Sequence, residues 1–224
     1  MTKEETWASI QARHSVRHYT DQRIDEETKA RLNEVIDRCN QESGLHLQLI
    51  TDEPNAFDFI LAHYGKFSGV RNYIACVGKE DERFDELIGY YGEQIVLEAQ
   101  HLGLNTCWVG LSYSKKKTRA EIRDGEKLRL VISLGYGKTQ GVARKSKRFA
   151  DVTKCEGEAP EWFKAGVEAA LLAPTAINQQ KFTFRLSGDH VSAKNGWGFY
   201  AKVDLGIAKY HFETIAGKEN FSWE

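Results

Sequence analysis

Apolar residues recur at helical spacing in several stretches of the chain, and polar residues mark where these stretches begin. Thr2 and Glu5 form a capping box ahead of a first helix that ends near His14. Asp25 precedes a second helix with acidic residues in its first turn. Its apolar stripe comprises Leu32, Val35, Ile36 and Cys39.

Later stretches repeat this helical pattern. Residues 92–102 predict a buried helix, with Gly103 at a left-handed C-cap. Thr118 and Glu121 form a second capping box and predict a short helix after it. A further helix begins at Pro160 and is ended by Pro174. The last helix carries the apolar residues Ile207, Tyr210, Phe212 and Ile215.

Strands are predicted between these helices. Leu45, Leu47 and Leu49 alternate with polar residues, and residues 73–77, 128–134 and 182–186 are short apolar runs. A turn at 187–190 follows the last run. The chain is therefore expected to have an α+β fold.

The order of helix, loop, strand, strand and helix occurs twice. It predicts one unit over residues 1–224 with an internal duplication, in halves of about 1–150 and 151–224. Many α+β chains show the same order by chance, so both interpretations stay open at this point.

Composition restricts the function classes. The formal net charge is −1 and the hydrophobic fraction is 41%, which is typical of a globular protein. No apolar run reaches the roughly 20 residues that span a bilayer, and residues 2–5 do not open a signal peptide, so we expect a cytoplasmic protein without membrane contact. Neither the four cysteines nor the seven histidines have metal-site spacing, which predicts that no metal is bound.

The first candidate site is the segment 13–19. Arg13, Ser15 and Arg17 alternate, so an extended backbone directs their side chains to one side. Two guanidinium groups that flank a hydroxyl suit a phosphate monoester. A solvated basic patch is the alternative.

Two further segments could hold a planar ring. Residues 173–180 end a helix with hydroxyl and amide groups, and Asn178 offers both a donor and an acceptor. Residues 103–110 follow the buried helix as a loop, where Trp108 and Gly110 could lie against a ring. A proline-ended helix and ordinary core packing of Trp108 are the respective alternatives.

Basic residues cluster at 144–148 and 115–117. The near-neutral chain and the lack of a docking motif argue against a nucleic-acid partner. A solvated face, or a second wall of the phosphate site, explains 144–148 better.

Taken together, these segments resemble the FMN-dependent nitroreductase family, and more closely a branch in which one chain looks like a fused, duplicated half. Residues 13–17 look like its phosphate-binding motif, and 173–180 are similar to its Ala-Pro-Ser-x-x-Asn-x-Gln-Pro motif. The family has a central, mostly antiparallel sheet flanked by helices. The resemblance implies these cofactor-binding residues: Arg13, His14, Ser15, Arg17, Lys66, Trp108, Val109, Gly110, Leu111, Lys145, Lys147, Pro174, Thr175, Ala176 and Asn178.

The chain departs from the family pattern at two points. The Ala-Pro-Ser-type motif is present only in the second half, where ordinary members carry it after the second helix. Lys181 stands where the motif usually has Pro. One chain would then supply both sides of a single flavin site, as a monomeric pseudo-dimer or within a homodimer.

The function that the resemblance implies is electron transfer from NADH or NADPH, through bound FMN, to a small acceptor such as a nitroaromatic compound or a quinone. The flavin carries the chemistry, so no catalytic side chain is expected. The alternative is a non-catalytic protein of the same fold that binds a flavin or nucleotide.

Overall fold

A computed structural model describes residues 1–58 and 66–224, which divide into two compact units. The first unit comprises residues 1–11, 85–93 and 144–224. The second unit comprises residues 12–84 and 94–143. Neither unit is continuous in sequence, because the chain passes from one unit to the other four times.

The first two helices begin where the polar signals predict. Thr2 and Glu5 form their reciprocal capping bonds, with the Glu5 N–H donating to Thr2 Oγ1 at 3.2 Å. Asp25 accepts a hydrogen bond from the Thr28 N–H at 2.8 Å. The five helices in the described part of the chain are α1 (Lys3–Ala12), α2 (Glu26–Ser43), α3 (Phe84–His101), α4 (Glu161–Leu171) and α5 (Ala201–Ala216).

The second unit contains an antiparallel sheet of four strands in the order β1-β2-β4-β3. Its long central strands are almost continuously apolar, which is why they are buried on both faces. The strands are β1 (Gln48–Ile50), β2 (Asn72–Lys79), β3 (Asn105–Val109) and β4 (Glu126–Gly135).

The core of the second unit lies against this sheet. Phe57, Phe67, Tyr73 and Tyr113 form an aromatic group in which Phe57 lies within 6.4 Å of each of the other rings, centroid to centroid. Such tilted ring pairs add about 0.5–1.5 kcal/mol each beyond the area they bury. This group stabilises the loops that precede β2 and follow β3.

The first unit contains a smaller sheet of four strands, in the order β5-β6-β7-β8. β6 and β7 form a hairpin whose turn includes Gly188 at φ +62°, as the turn residues predict. The two outer pairs are parallel. The strands are β5 (Thr153–Cys155), β6 (Phe182–Ser187), β7 (His190–Asn195) and β8 (Ser222–Trp223).

The first unit also contains a close helix crossing. A Cβ atom at Gly89 of α3 would overlap the Val203 carbonyl, and one at Gly206 of α5 would overlap the Glu86 carbonyl. Glycine is needed at both positions because the two backbones are in contact. Phe163, Phe184 and Phe212 are buried around α4 and α5.

Several sequence-based predictions differ from the structure. The helix predicted over residues 92–102 already begins at Phe84. Residues 105–109, which include Trp108 and Val109, form edge strand β3 rather than a loop, because their backbone pairs with β4. No helix follows Thr118: its hydroxyl donates to the Lys115 carbonyl at 2.8 Å and so ends the short 3-10 turn Lys115–Lys117. The first helix ends at Ala12, two residues before the predicted end.

Within the described ranges, no helix is long and apolar enough to cross a membrane.

Candidate functional site

The segment 13–19 passes along the second unit in an extended conformation. The Val16 N–H donates to the Thr106 carbonyl at 3.0 Å, which places Ser15 beside β3. The Tyr19 N–H donates to the Ser68 carbonyl at 3.0 Å. The segment is therefore fixed on both sides by backbone hydrogen bonds.

Arg13, Ser15 and Arg17 all influence one side chain of β3, the thiol of Cys107. Burial raises the pKa of Cys107, and the charge of Arg17, a hydrogen bond from Ser15 and the charge of Arg13 lower it in part. All three side chains of the predicted phosphate motif therefore act on the same buried point. The thiol stays neutral, so it places no negative charge there.

The donor set fits a phosphate group. Arg17 is exposed, and no carboxylate pairs with it in the ranges 1–58 and 66–224. Thr106 Oγ1, in the residue before Cys107, is buried without a hydrogen-bond partner in those ranges. A buried hydroxyl normally has a partner, but successive side chains of a strand point to opposite faces, so this hydroxyl does not share the face of the Cys107 thiol.

Other predicted residues lie in the same unit. Lys66 is exposed and has φ +58°. The next residue, Phe67, lies under the Arg17 guanidinium, 5.9 Å from its carbon to the ring centroid. His14 is half-buried, and a Cβ atom at Gly141 would lie 2.7 Å from its Cβ. After β3, Gly110 is partly buried, whereas Leu111 is 77% exposed.

The remaining predicted residues lie together in the first unit. Asn178 Nδ2 donates to the Lys145 carbonyl at 2.9 Å. Ser146 Oγ donates to the Leu171 carbonyl at 3.1 Å, and Arg144 donates to the Leu172 carbonyl. The basic segment 144–148 therefore runs along the end of α4, next to Pro174, Thr175 and Ala176.

Gln180 connects these two segments from inside the unit. It is 1% exposed. Its side chain donates to the Leu171 carbonyl at 2.8 Å and accepts from the Lys147 N–H at 2.7 Å. Its own N–H donates to Thr175 Oγ1 at 3.1 Å. A buried amide with every partner satisfied holds the segment rigid.

Asp204 is a residue of this region that the sequence did not single out. Its carboxylate accepts from the Ala176 N–H at 2.9 Å and from Gln179 Nε2 at 2.7 Å. Burial raises the pKa of Asp204 to about 6, although these two hydrogen bonds oppose the shift. Nothing in the pattern of α5 distinguishes this acid from an ordinary first-turn acid.

The backbone of residues 177–180 is unusual. Ile177, Asn178 and Gln180 have φ values of +47°, +56° and +44°. A β-branched residue such as Ile177 is rarely found in this left-handed region. Each such residue costs about 1–3 kcal/mol, and strain of this kind is typical of functional segments.

The structure thus groups the predicted residues within each unit.

In the ranges 1–58 and 66–224, no three or more His, Cys, Asp or Glu side chains are placed to hold a metal ion.

The sequence matches the family described as "Putative TM nitroreductase" over residues 5–216. The chain belongs to this family. The match extends over nearly all of both units, and it confirms the fold class and the family resemblance that the sequence motifs indicated.

Solved nitroreductase structures share the fold. The structure is similar to that of a "putative nitroreductase" from Thermotoga maritima MSB8, with a TM-score of 0.67 and 22% identity over 96% of this chain and 83% of that chain. It is also similar to a "putative nitroreductase in complex with fmn" from Desulfovibrio desulfuricans, with a TM-score of 0.52 and 18% identity over 65% of this chain and 93% of that chain. A "Putative NADH dehydrogenase/NAD(P)H nitroreductase" from Parabacteroides distasonis ATCC 8503 gives a TM-score of 0.50 and 18% identity, over 66% and 96% of the two chains.

A comparison with curated proteins finds no match.

Proposed function

We propose that this chain is an FMN-dependent oxidoreductase that passes electrons from NADH or NADPH to a small acceptor. The observation that carries the proposal is the extended segment 13–19, which is paired with β3 at Thr106 and in which Arg13, Ser15 and Arg17 all influence the pKa of the buried Cys107 thiol. Two guanidinium groups and a hydroxyl, with no carboxylate partner for Arg17 in the described ranges, form an anion site suited to the FMN phosphate.

Each of these residues of the second unit has a different role in holding FMN. Arg17 is exposed and can enter a bidentate contact with phosphate oxygens. Arg13 is buried and supplies fixed positive charge. Ser15 supplies a hydroxyl group. Because burial keeps the Cys107 thiol neutral, this thiol does not repel the phosphate.

The other predicted contacts belong to the same proposal. They are Lys66, His14 and residues 108–111 in the second unit, and Lys145, Lys147, Pro174, Thr175, Ala176 and Asn178 in the first. Their support is the resemblance together with the rigid hydrogen bonding around Gln180. An exposed cation such as Lys66 would favour negative charge on a neighbouring ring.

Bound flavin supplies the two-electron chemistry, so the protein side chains position reactants and need not act as acid or base. The family match and the names of the relatives support this reaction class: one relative was solved with FMN, and another is named for NADH and NAD(P)H.

A visible absorption spectrum tests the proposal. The purified protein is incubated with FMN, desalted and treated anaerobically with NADH or NADPH. We expect retained flavin whose absorbance at its longest-wavelength band disappears on addition of one of the two donors. Retained flavin that keeps its absorbance with both donors would instead identify a non-catalytic flavin-binding protein, and a colourless protein would refute both.

A further inference from the structure

A cavity of about 340 Å³ opens between three helices of the first unit. Cavities that bind small molecules begin at about 300 Å³, so this one has room for a small ligand. We call it the three-helix cavity. Its lining residues are Lys3, Glu4 and Trp7 of α1, Ala165 and Glu168 of α4, and Ile215 of α5.

The packing of α1 and a small residue of α4 leave this space open. α1 buries Thr6, Ser9 and Ile10, while Trp7 stays half-buried beside that face. Ala165 lines the cavity with a single methyl group. A larger side chain at position 165 would therefore occupy the space itself.

Trp7 supplies the largest apolar surface of the three-helix cavity. Another tryptophan of the first unit, Trp162, stacks on Phe221 with the ring centroids 5.7 Å apart. By contrast, no ring contact and no side-chain hydrogen bond engages the Trp7 indole in the described part of the chain. Together with Ala165 and the buried Ile215, this indole forms an apolar wall that a ligand can cover.

Two carboxylates and one ammonium group form the rim of the cavity. Glu4 and Glu168 are exposed, and neither side chain has an ion-pair or hydrogen-bond partner among the residues that the structure describes. A neighbouring acid of α4 outside the cavity, Glu161, is paired with Lys164 at 2.7 Å. Because Lys3 is the cation among the lining residues, the rim carries one more negative charge than positive.

The apolar wall and the charged rim together define the chemistry of a ligand. An ammonium group is attracted both by carboxylates and by an indole ring. An apolar body attached to that ammonium group removes the wall of the cavity from water. A carboxylate or phosphate ligand would instead meet the excess negative charge of the rim.

We propose that the three-helix cavity binds a cationic amphiphile, which is a primary amine carried on a small apolar or aromatic body. The ammonium group lies at the rim near Glu4 and Glu168, and the apolar body lies against Trp7. The inference goes beyond the proposed function, because none of the residues predicted to bind FMN lines this cavity. It requires neither flavin nor electron transfer.

The test is isothermal titration calorimetry of the full chain with 2-phenylethylamine, at neutral pH and low ionic strength. The neutral and anionic counterparts of this probe are 2-phenylethanol and 3-phenylpropanoate. We expect saturable binding of the amine and at least about threefold weaker binding of the alcohol, because the alcohol lacks the charge that the rim attracts. The anionic counterpart should bind more weakly still.

Three variants separate the shape of the cavity from its charge. A165L fills the cavity and should weaken amine binding about tenfold or more, since the ligand loses its apolar contact. E168Q keeps the shape of the side chain, removes one rim carboxylate and should weaken binding about threefold. E161Q removes an equal charge from α4 outside the cavity, and this matched control should bind the amine as the unchanged chain does. Circular dichroism confirms that each variant is folded.

Four results would overturn the inference. The first is the absence of saturable amine binding up to about 10 mM, and the second is equal affinity for the amine and for 3-phenylpropanoate. The third is equal amine affinity in E168Q and E161Q. The fourth is a dimer in sedimentation that A165L dissociates, which would make the cavity an interface between copies of the chain. A colourless protein that still binds the amine would refute only the proposed function.

Discussion

Lys147 donates two hydrogen bonds to Gln180, one from its backbone to the side chain and one from its side chain to the backbone. The Lys147 N–H donates to Gln180 Oε1 at 2.7 Å, and Lys147 Nζ donates to the Gln180 carbonyl at 2.8 Å. Lys147, which the sequence resemblance assigns to the cofactor site, is thereby fixed to Gln180, the last residue of the amide-rich segment 173–180. The same contact makes Gln180 the residue on which the order of both segments depends.

Replacing Gln180 with Ala should lower the free energy of unfolding by about 1–3 kcal/mol, because a buried N–H and carbonyl lose their partner. The matched control is K147M, which keeps the stem but removes one partly buried hydrogen bond and should cost about 1 kcal/mol. Urea unfolding followed by circular dichroism measures both. Equal stability of Q180A and the unchanged chain would show that this amide does not order the region.

Asp204 makes stability depend on pH. Because its pKa is raised from 3.8 to about 6 in the folded chain, the folded state binds the proton more tightly than the unfolded state. Its contribution to the free energy of unfolding is therefore largest below the unfolded pKa and is lost as the pH rises through the folded value. A shift of two pKa units corresponds to about 3 kcal/mol.

The variant D204N removes this titration while keeping an oxygen to accept from the Ala176 N–H. We expect the stability of the unchanged chain relative to D204N to fall by up to about 3 kcal/mol between about pH 4 and pH 8. Urea unfolding of the two proteins across that range measures the difference. A difference that stays constant with pH would contradict the raised pKa.

Ile177 should be easier to replace by Gly than by Ala. Its left-handed backbone costs about 1–2 kcal/mol for an L-residue, and its side chain is 91% exposed, so little burial is lost. Gly by itself lowers the free energy of unfolding by about 0.5–1 kcal/mol, because it gives the unfolded chain more conformational freedom. We predict that I177G raises the free energy of unfolding by about 0.5 kcal/mol or more over I177A. Thermal unfolding of both checks this, and the reverse order would show that the backbone there is unstrained.

Local signals in the sequence predicted much of the fold. Asp25 caps α2, and the apolar stripe from Leu32 to Cys39 is buried, as the spacing indicates. The strand expected from Leu45 forms only at Gln48–Ile50, because the Asn40 side chain takes both backbone groups of Leu47. Strand β3 was missed because its five residues pair with a strand more than fifteen positions away, which a local pattern does not show.

The residues of the candidate site stay predictions. Arg13, Ser15 and Arg17 alternate in sequence, and all three influence the pKa of one buried thiol. Asp204 could not be predicted from residue type, since its raised pKa comes from burial. The internal duplication, with halves of about 1–150 and 151–224, stays a prediction.

The central claim is that Arg13 and Arg17 hold the phosphate of FMN, and a titration with FMN and riboflavin tests it most directly. Arg17→Ala should weaken FMN binding by about 10–100-fold, because one charge-assisted contact contributes about 1.5–3 kcal/mol, and the double variant R13A/R17A should lose about two decades or more. Arg23, whose side chain is 79% exposed, provides the control R23A. Riboflavin, which lacks the phosphate, should bind equally to R17A and the unchanged chain. Equal FMN affinity in R17A and R23A would contradict the account.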